Sequence, residues 1–257
     1  MRIWLAVSLS VLLGALPTHA QGTLPPMAAS ASPSFEVATI RPTDPTSPTY
    51  KRFLISGGRR LTTSNTTLND LIAWGYVLHA TQIIGGPPWV KTDKYDVQAQ
   101  QGTDNLPSTQ QWKGMMQKLL ADRFKLTFHR DTREIPVYVL TVAKSGPKLA
   151  KSKDDPNGLP GLGVRKPGDL GISNGTMATL AELLQRSVMD RPVVDRTGLT
   201  GKYDLSLKWT PVDTPTAADA PPDLYTAIQE ELGLKLVAAK ALDEVFVIDH
   251  VERPSQN

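Results

Sequence analysis

The chain has 257 residues, room for one large domain or two small ones, and carries a formal net charge of +3. Its Lys and Arg residues are scattered, with no run of five or more, so charge gives no support for a nucleic-acid partner. There is no cysteine, which excludes thiol catalysis, thiolate metal sites, disulfides and a lipid-bearing Cys.

Met1 to Ala20 reads as an export signal. Arg2 supplies the positive start, Ile3 to Leu16 a short apolar run, and Thr18-His19-Ala20 small residues where a signal peptidase inspects them. No later stretch approaches the roughly 20 apolar residues of a membrane-spanning helix, so no transmembrane segment is expected once the signal is removed. A Cys-free exported chain suits the bacterial periplasm or the medium. Residues 21–34 are rich in Pro, Ala and Ser and read as a flexible leader.

Phe35 to Ile40 alternates apolar and polar as a half-buried strand does, and Arg41-Pro42 is expected to end it. Short strands at 53–55 and 60–63 flank the Ser56-Gly57-Gly58 turn. Thr67 with Asp70 forms the entry of a helix whose Leu68, Leu71, Ile72 and Gly75 share one face. Gly85-Gly86-Pro87-Pro88 precedes Trp89, and a strand follows at 95–99. Ser108-x-x-Gln111 caps the most regular helix, with Trp112, Met115, Met116, Leu119 and Leu120 at helical spacing. Residues 125–142 then predict a hairpin turning at Arg130 to Arg133.

Residues 145–169, dense in Gly, Pro, Lys and Asp, read as an exposed, mobile linker. Beyond it come a helix near Thr176, a strand at 193–195, the Thr197-Gly198-Leu199-Thr200-Gly201 turn and a strand from Tyr203 to Trp209. A loop over 210–222 follows, then a helix capped by Asp223 and stopped by Gly233. A last hairpin is expected from 234–237 and 245–248.

The second half of this order echoes the first. Ser64-Asn65-Thr66-Thr67-Leu68 and Leu71 return as Ser173-Asn174-Gly175-Thr176-Met177 and Leu180. Lys94-Tyr95-Asp96 returns as Lys202-Tyr203-Asp204, Lys125-Leu126 as Lys235-Leu236, and Val137 to Leu140 as Val245 to Ile248. The expectation is an α+β fold of two tandem, internally duplicated units, 35–144 and 170–254. Each is roughly β-α-β-α-β-β, with antiparallel sheets and helices packed on one face.

Catalytic patterns are sparse. There is no H-E-x-x-H, G-x-S-x-G or Walker phosphate loop, and the three histidines after the signal, His79, His129 and His250, are far apart. No catalytic residue, metal ligand or cofactor is assigned. Asp96 and Asp204, each after a Tyr, are expected to accept hydrogen bonds from the turn before them. For ligand binding the candidates are Trp89, an indole after Gly-Gly-Pro-Pro, and the charged neighbours Asp195 and Arg196 at the entrance of the Thr-Gly turn.

Several of these segments carry a family resemblance. They are Phe35 to Pro42, the T-L-x-x-L-I-A-W-x-Y stretch at 67–76, Ile84 to Trp89, Leu119 to Leu126, Arg191 to Asp195, T-G-L-T-G-K-Y-D at 197–204 and Val247 to Pro254. Together they resemble a family of secreted soil-bacterial proteins, expanded in Acidobacteria such as Solibacter and known as a domain of unknown function. The resemblance implies an exported bacterial protein, in some members linked to membrane sensor-peptidase modules, and brings no activity and no site residues. The functional expectation is a non-enzymatic extracytoplasmic binding or interaction module. Its partner would be a peptide, a cell-wall fragment or an envelope protein. The alternatives are a hydrolase using Asp and His residues such as Asp96, Asp204, His129 and His250, and a purely structural envelope role.

Overall fold

The computed structural model describes residues 25–46, 50–212, 214 and 220–254. The export-signal reading and part of the 210–222 loop therefore fall outside the described residues. Within them the chain is α+β, with twelve strands in three four-stranded sheets and five α-helices.

The first sheet holds β1 (Phe35–Pro42), β5 (Lys94–Gln101), β3 (Arg60–Thr67) and β2 (Arg52–Ser56), in that order and antiparallel. Strand β1 runs on through Pro42, which pairs with Tyr95. An edge strand tolerates the missing N–H, so the proline does not end it. Gly57 and Gly58 both take positive φ in the β2–β3 turn, as a primed turn requires. The sheet buries Leu61, Val97 and Ala99 against α1 (Leu68–Tyr76) and α3 (Thr109–Phe124). Both helices open on the expected capping boxes. Asp70 N donates to Thr67 Oγ1 at 3.1 Å and Gln111 N to Ser108 Oγ at 3.2 Å, and the side chains of Asp70 and Gln111 accept in return. Gly75 leaves room for the Met116 side chain, which would lie 3.1 Å from an added Cβ.

The other outer sheet has the order β7 (Ala150–Lys151), β11 (Tyr203–Lys208), β9 (Asp169–Gly175), β8 (Gly161–Lys166). It supports α4 (Met177–Ser187) and α5 (Leu224–Leu232) over a second core of Leu170, Leu180, Leu184, Leu207 and Ile228. The stretch read as a mobile linker thus contains two strands. Their side chains are mostly exposed, so backbone pairing rather than apolar periodicity holds them, and the sequence pattern gives no sign of it. The leader is likewise tied down from Pro26 on. Met27 N donates to Leu106 O, and Gln111 and Lys118 of α3 donate to the carbonyls of Ala28 and Ser32.

The middle sheet corrects the two expected hairpins. Residues 127–142 form one continuous strand, β6 (Thr127–Val142), and residues 234–250 another, β12 (Leu234–His250). They pair antiparallel with each other from Val142↔Leu234 to Thr127↔His250. Arg130 to Arg133 lacks the Gly or Asn that a tight turn needs, and its charges are matched across the ribbon instead. Arg130 pairs with Glu244, and Arg133 lies opposite Asp243. Short parallel strands complete the sheet on its two edges: β10 (Val193–Asp195) against β6, and β4 (Ile83–Gly85) against β12. Each outer core borrows from this ribbon. Phe246 and Ile248 of β12 join the first core, where Phe246 stacks on Phe128 at 3.7 Å, whereas Leu140 of β6 joins the second.

Candidate functional site

Trp89, Asp195 and Arg196 are not gathered in one place. Trp89 opens α2 (Trp89–Thr92), just after β4, and Asp195 ends β10. These strands occupy opposite edges of the middle sheet. The Trp89 ring is half-buried, with the Arg253 guanidinium 5.0 Å from its centroid, and Arg253 Nε is bonded to Asp93 Oδ2 at 2.9 Å. The Asp195 carboxylate accepts from Thr197 N at 2.9 Å and Thr197 Oγ1 at 2.8 Å, closing the turn. Arg196 is exposed, and its backbone N–H donates to Leu140 O.

Asp96 and Asp204 hold turns, in the same way twice. Asp96 Oδ1 accepts from Asn65 N, and Asp204 Oδ1 from Asn174 N, both at 2.8 Å. Both asparagines are left-handed, with φ of +54° and +53°. The Asn174 amide holds the Asp204 carboxyl below the usual carboxylate value. His129 Nδ1 meets Asp249 Oδ1 at 2.8 Å on the exposed ribbon, and His250 Nε2 meets Glu252 Oε1 at 2.9 Å. No hydrogen bond joins any two of Asp96, Asp204, His129 and His250 among the described residues. Nor do three His, Asp or Glu side chains gather there as a metal-binding set.

Of the hollows of ligand size among the described residues, two are the roomiest of those found. One, of about 650 Å³, lies between Pro42–Pro45, Asp93–Tyr95 and Arg253, and its arginine is already paired with Asp93. The other, of about 560 Å³, lies between the two cores. Strand β2 and α1 supply an aromatic stack there, Phe53 on Trp74, with centroids 5.8 Å apart and planes at 19°. Helix α3 contributes Lys113, whose Nζ is 2.6 Å from Glu182 Oε2 of α4, a pair exposed by only 6% and 19%. Arg186, one turn further along α4, places its guanidinium carbon 5.9 Å from the Phe53 ring centroid. Its Nε is buried with no partner. Burial pulls the guanidinium below the usual arginine value, and the Glu182 charge offsets part of that.

The opposite wall is built by the left-handed Asn174. Its Nδ2 donates to Asp155 O at 2.7 Å and Gly158 O at 3.2 Å, its Oδ1 is buried without a donor, and Lys202 Nζ donates to Gly158 O at 3.1 Å. An aromatic floor and a cation with no ion-pair partner can together hold an amphipathic molecule.

Sequence reasoning missed Phe53, Lys113, Glu182 and Arg186. One signal was available. Lys113 falls at i−3 and i−7 from Met116 and Leu120, on the face of α3 that turns inward, and it is 5% exposed. A lysine on a buried helical face must be paired. The partner on α4 has no sequence signature, because it arrives through tertiary packing.

No curated protein and no solved structure matches the chain. The family model that does match, over residues 69–251, is described as a protein of unknown function, DUF3738. That span covers most of the chain, and this protein therefore belongs to the DUF3738 family.

Proposed function

We propose that this is an exported, non-enzymatic binding module made of two duplicated α+β units, 35–144 and 170–254, with its ligand seated in the groove between their cores. The observation that carries the reading is the groove itself: about 560 Å³, walled by both halves of the chain and floored by the Phe53–Trp74 stack. The ligand class is a peptide, a cell-wall fragment or a segment of an envelope protein. Duplication is supported by the paired left-handed asparagines on Asp96 and Asp204, and by register. Strand β4 meets β12 at Ile83↔Phe246, and β10 meets β6 at Val193↔Tyr138, so the equivalent Phe246 and Tyr138 of the sequence echo each pair with a short parallel strand. Export is supported by the apolar run after Arg2 and its small-residue end.

The test is a thermal-shift and tryptophan-emission screen of the purified protein against short peptides and peptidoglycan fragments, repeated with Trp74→Phe. Binding should raise the melting temperature with concentration and change the emission, and Trp74→Phe should abolish the emission change. Silence across the panel, together with turnover of a supplied substrate, would contradict it. One observation favours a hydrolase instead: the His129–Asp249 contact, a base with an orienting carboxylate. That reading predicts an activity removed by His129→Gln and indifferent to Trp74→Phe.

A further inference from the structure

Arg186 enters the groove from the last turn of α4. It lies against Phe53, its Nε is buried without a partner, and no ion pair or hydrogen bond reaches its guanidinium among the described residues. The groove's other cations are committed, Lys113 to Glu182 and Lys202 to the Gly158 carbonyl. A half-buried, unpaired guanidinium is costly, and a planar fork held against a ring is the shape that takes a carboxylate through two parallel hydrogen bonds.

The lining narrows the anion. Leu54, Ile55, Leu159 and Leu162 make much of its surface apolar, which suits an organic carboxylate over a strongly hydrated phosphate. Building on the binding-module reading, we infer that the groove binds a short apolar peptide by its free C-terminal carboxylate, with the carboxylate on Arg186 and the apolar side chains on Phe53 and Trp74. The charge and planar shape of the guanidinium and the apolar lining favour that ligand.

The experiment is calorimetric titration of the full protein with N-acetyl-Ala-Leu-Phe as the free acid, the same peptide as its C-terminal amide, decanoate and inorganic phosphate. The free acid should bind at least tenfold more tightly than the amide. Arg186→Met should bring the acid down to the amide's affinity while leaving the melting temperature of the unliganded protein unchanged or raised, because an unpaired charge has been removed. Arg186→Lys, which keeps charge and loses the fork, should fall between, and serves if the Met variant does not fold.

Equal affinity for acid and amide would overturn the carboxylate inference and leave the binding module standing. No saturable binding of either peptide up to about 1 mM would overturn the peptide inference, and the binding module would then rest on the wider panel. Tightest binding of decanoate or phosphate would overturn the peptide assignment. So would an Arg186→Met protein that melts lower yet binds the acid unchanged, which would make Arg186 structural.

Discussion

Val77 closes α1 with its backbone at φ +61°, a left-handed position where a β-branched side chain crowds its own carbonyl. Glycine is the usual residue there. Val77→Gly is expected to stabilise the protein by about 1 kcal/mol, a rise of roughly 2–4 °C in melting temperature by calorimetry. A lower melting temperature would show that the Val77 side chain, 42% exposed, is held by more than its backbone. This position was invisible in the sequence, because a valine after a helix carries no cap signal. That Asp96 and Asp204 each pin a turn was legible, but which turn was not: the one just before each Tyr was expected, whereas the donors are Asn65 and Asn174, far earlier in the chain. Trp89 was legible only in part. Its Gly-Gly-Pro-Pro approach marked it out, whereas the Arg253 guanidinium over its ring comes from far away in the chain.

Helix α4 is the element that ties the two cores together. Lys113 of α3 reaches Glu182, the amide of Gln185 donates to Val77 O at 3.4 Å, and Met189, just past the helix, accepts from His79 at 3.3 Å. Lys113→Ala leaves Glu182 largely buried and unpaired, and should destabilise by on the order of 3 kcal/mol in urea unfolding. Lys113→Met with Glu182→Leu should recover most of that, and full additivity of the single changes would rule out a coupled pair. His79 sits just before a short 3-10 turn, 7% exposed, with Nδ1 accepting from Thr81 N and Nε2 donating to Met189 O. Burial holds its pKa below the usual 6.5, with partial compensation from Met189 and Asp190.

A depressed folded-state value means the unfolded chain takes up the proton first. The His79 contribution is therefore intact above about pH 6.5 and is lost as pH falls through the lower folded value. Between pH 7.5 and 5.5 the melting temperature of the wild type should drop more than that of His79→Gln, and equal drops would refute the assignment. Four of the five α-helices were legible because Thr67, Ser108, Thr176 and Asp223 announce their starts; the short α2 was not. The contacts of α4 were not, because a charge such as Glu182 or Arg186 reads as solvated until the facing surface is known.

At the scale of the whole molecule the β6–β12 ribbon decides how the halves depend on each other. The first core needs Phe246 and Ile248 from β12, and among the described residues β4 pairs with β12 alone. A fragment ending at residue 144 should therefore lack a cooperative thermal transition and regain one when mixed with the remainder of the chain. A sharp independent melt would show that the borrowed residues are dispensable. The ribbon was misread as two hairpins because each strand has polar residues midway, and strand periodicity cannot say whether a polar stretch turns or is matched across the sheet. The groove between the cores inherits the same blindness, being assembled from segments as distant as Phe53 and Lys202. The most direct measurement is a crystal structure of the protein grown with N-acetyl-Ala-Leu-Phe free acid. The peptide is expected along the Phe53–Trp74 stack with both carboxylate oxygens on the Arg186 guanidinium. Peptide bound beside Trp89 and Arg253, or an Arg186 side chain turned out to solvent with the groove empty, would contradict the account.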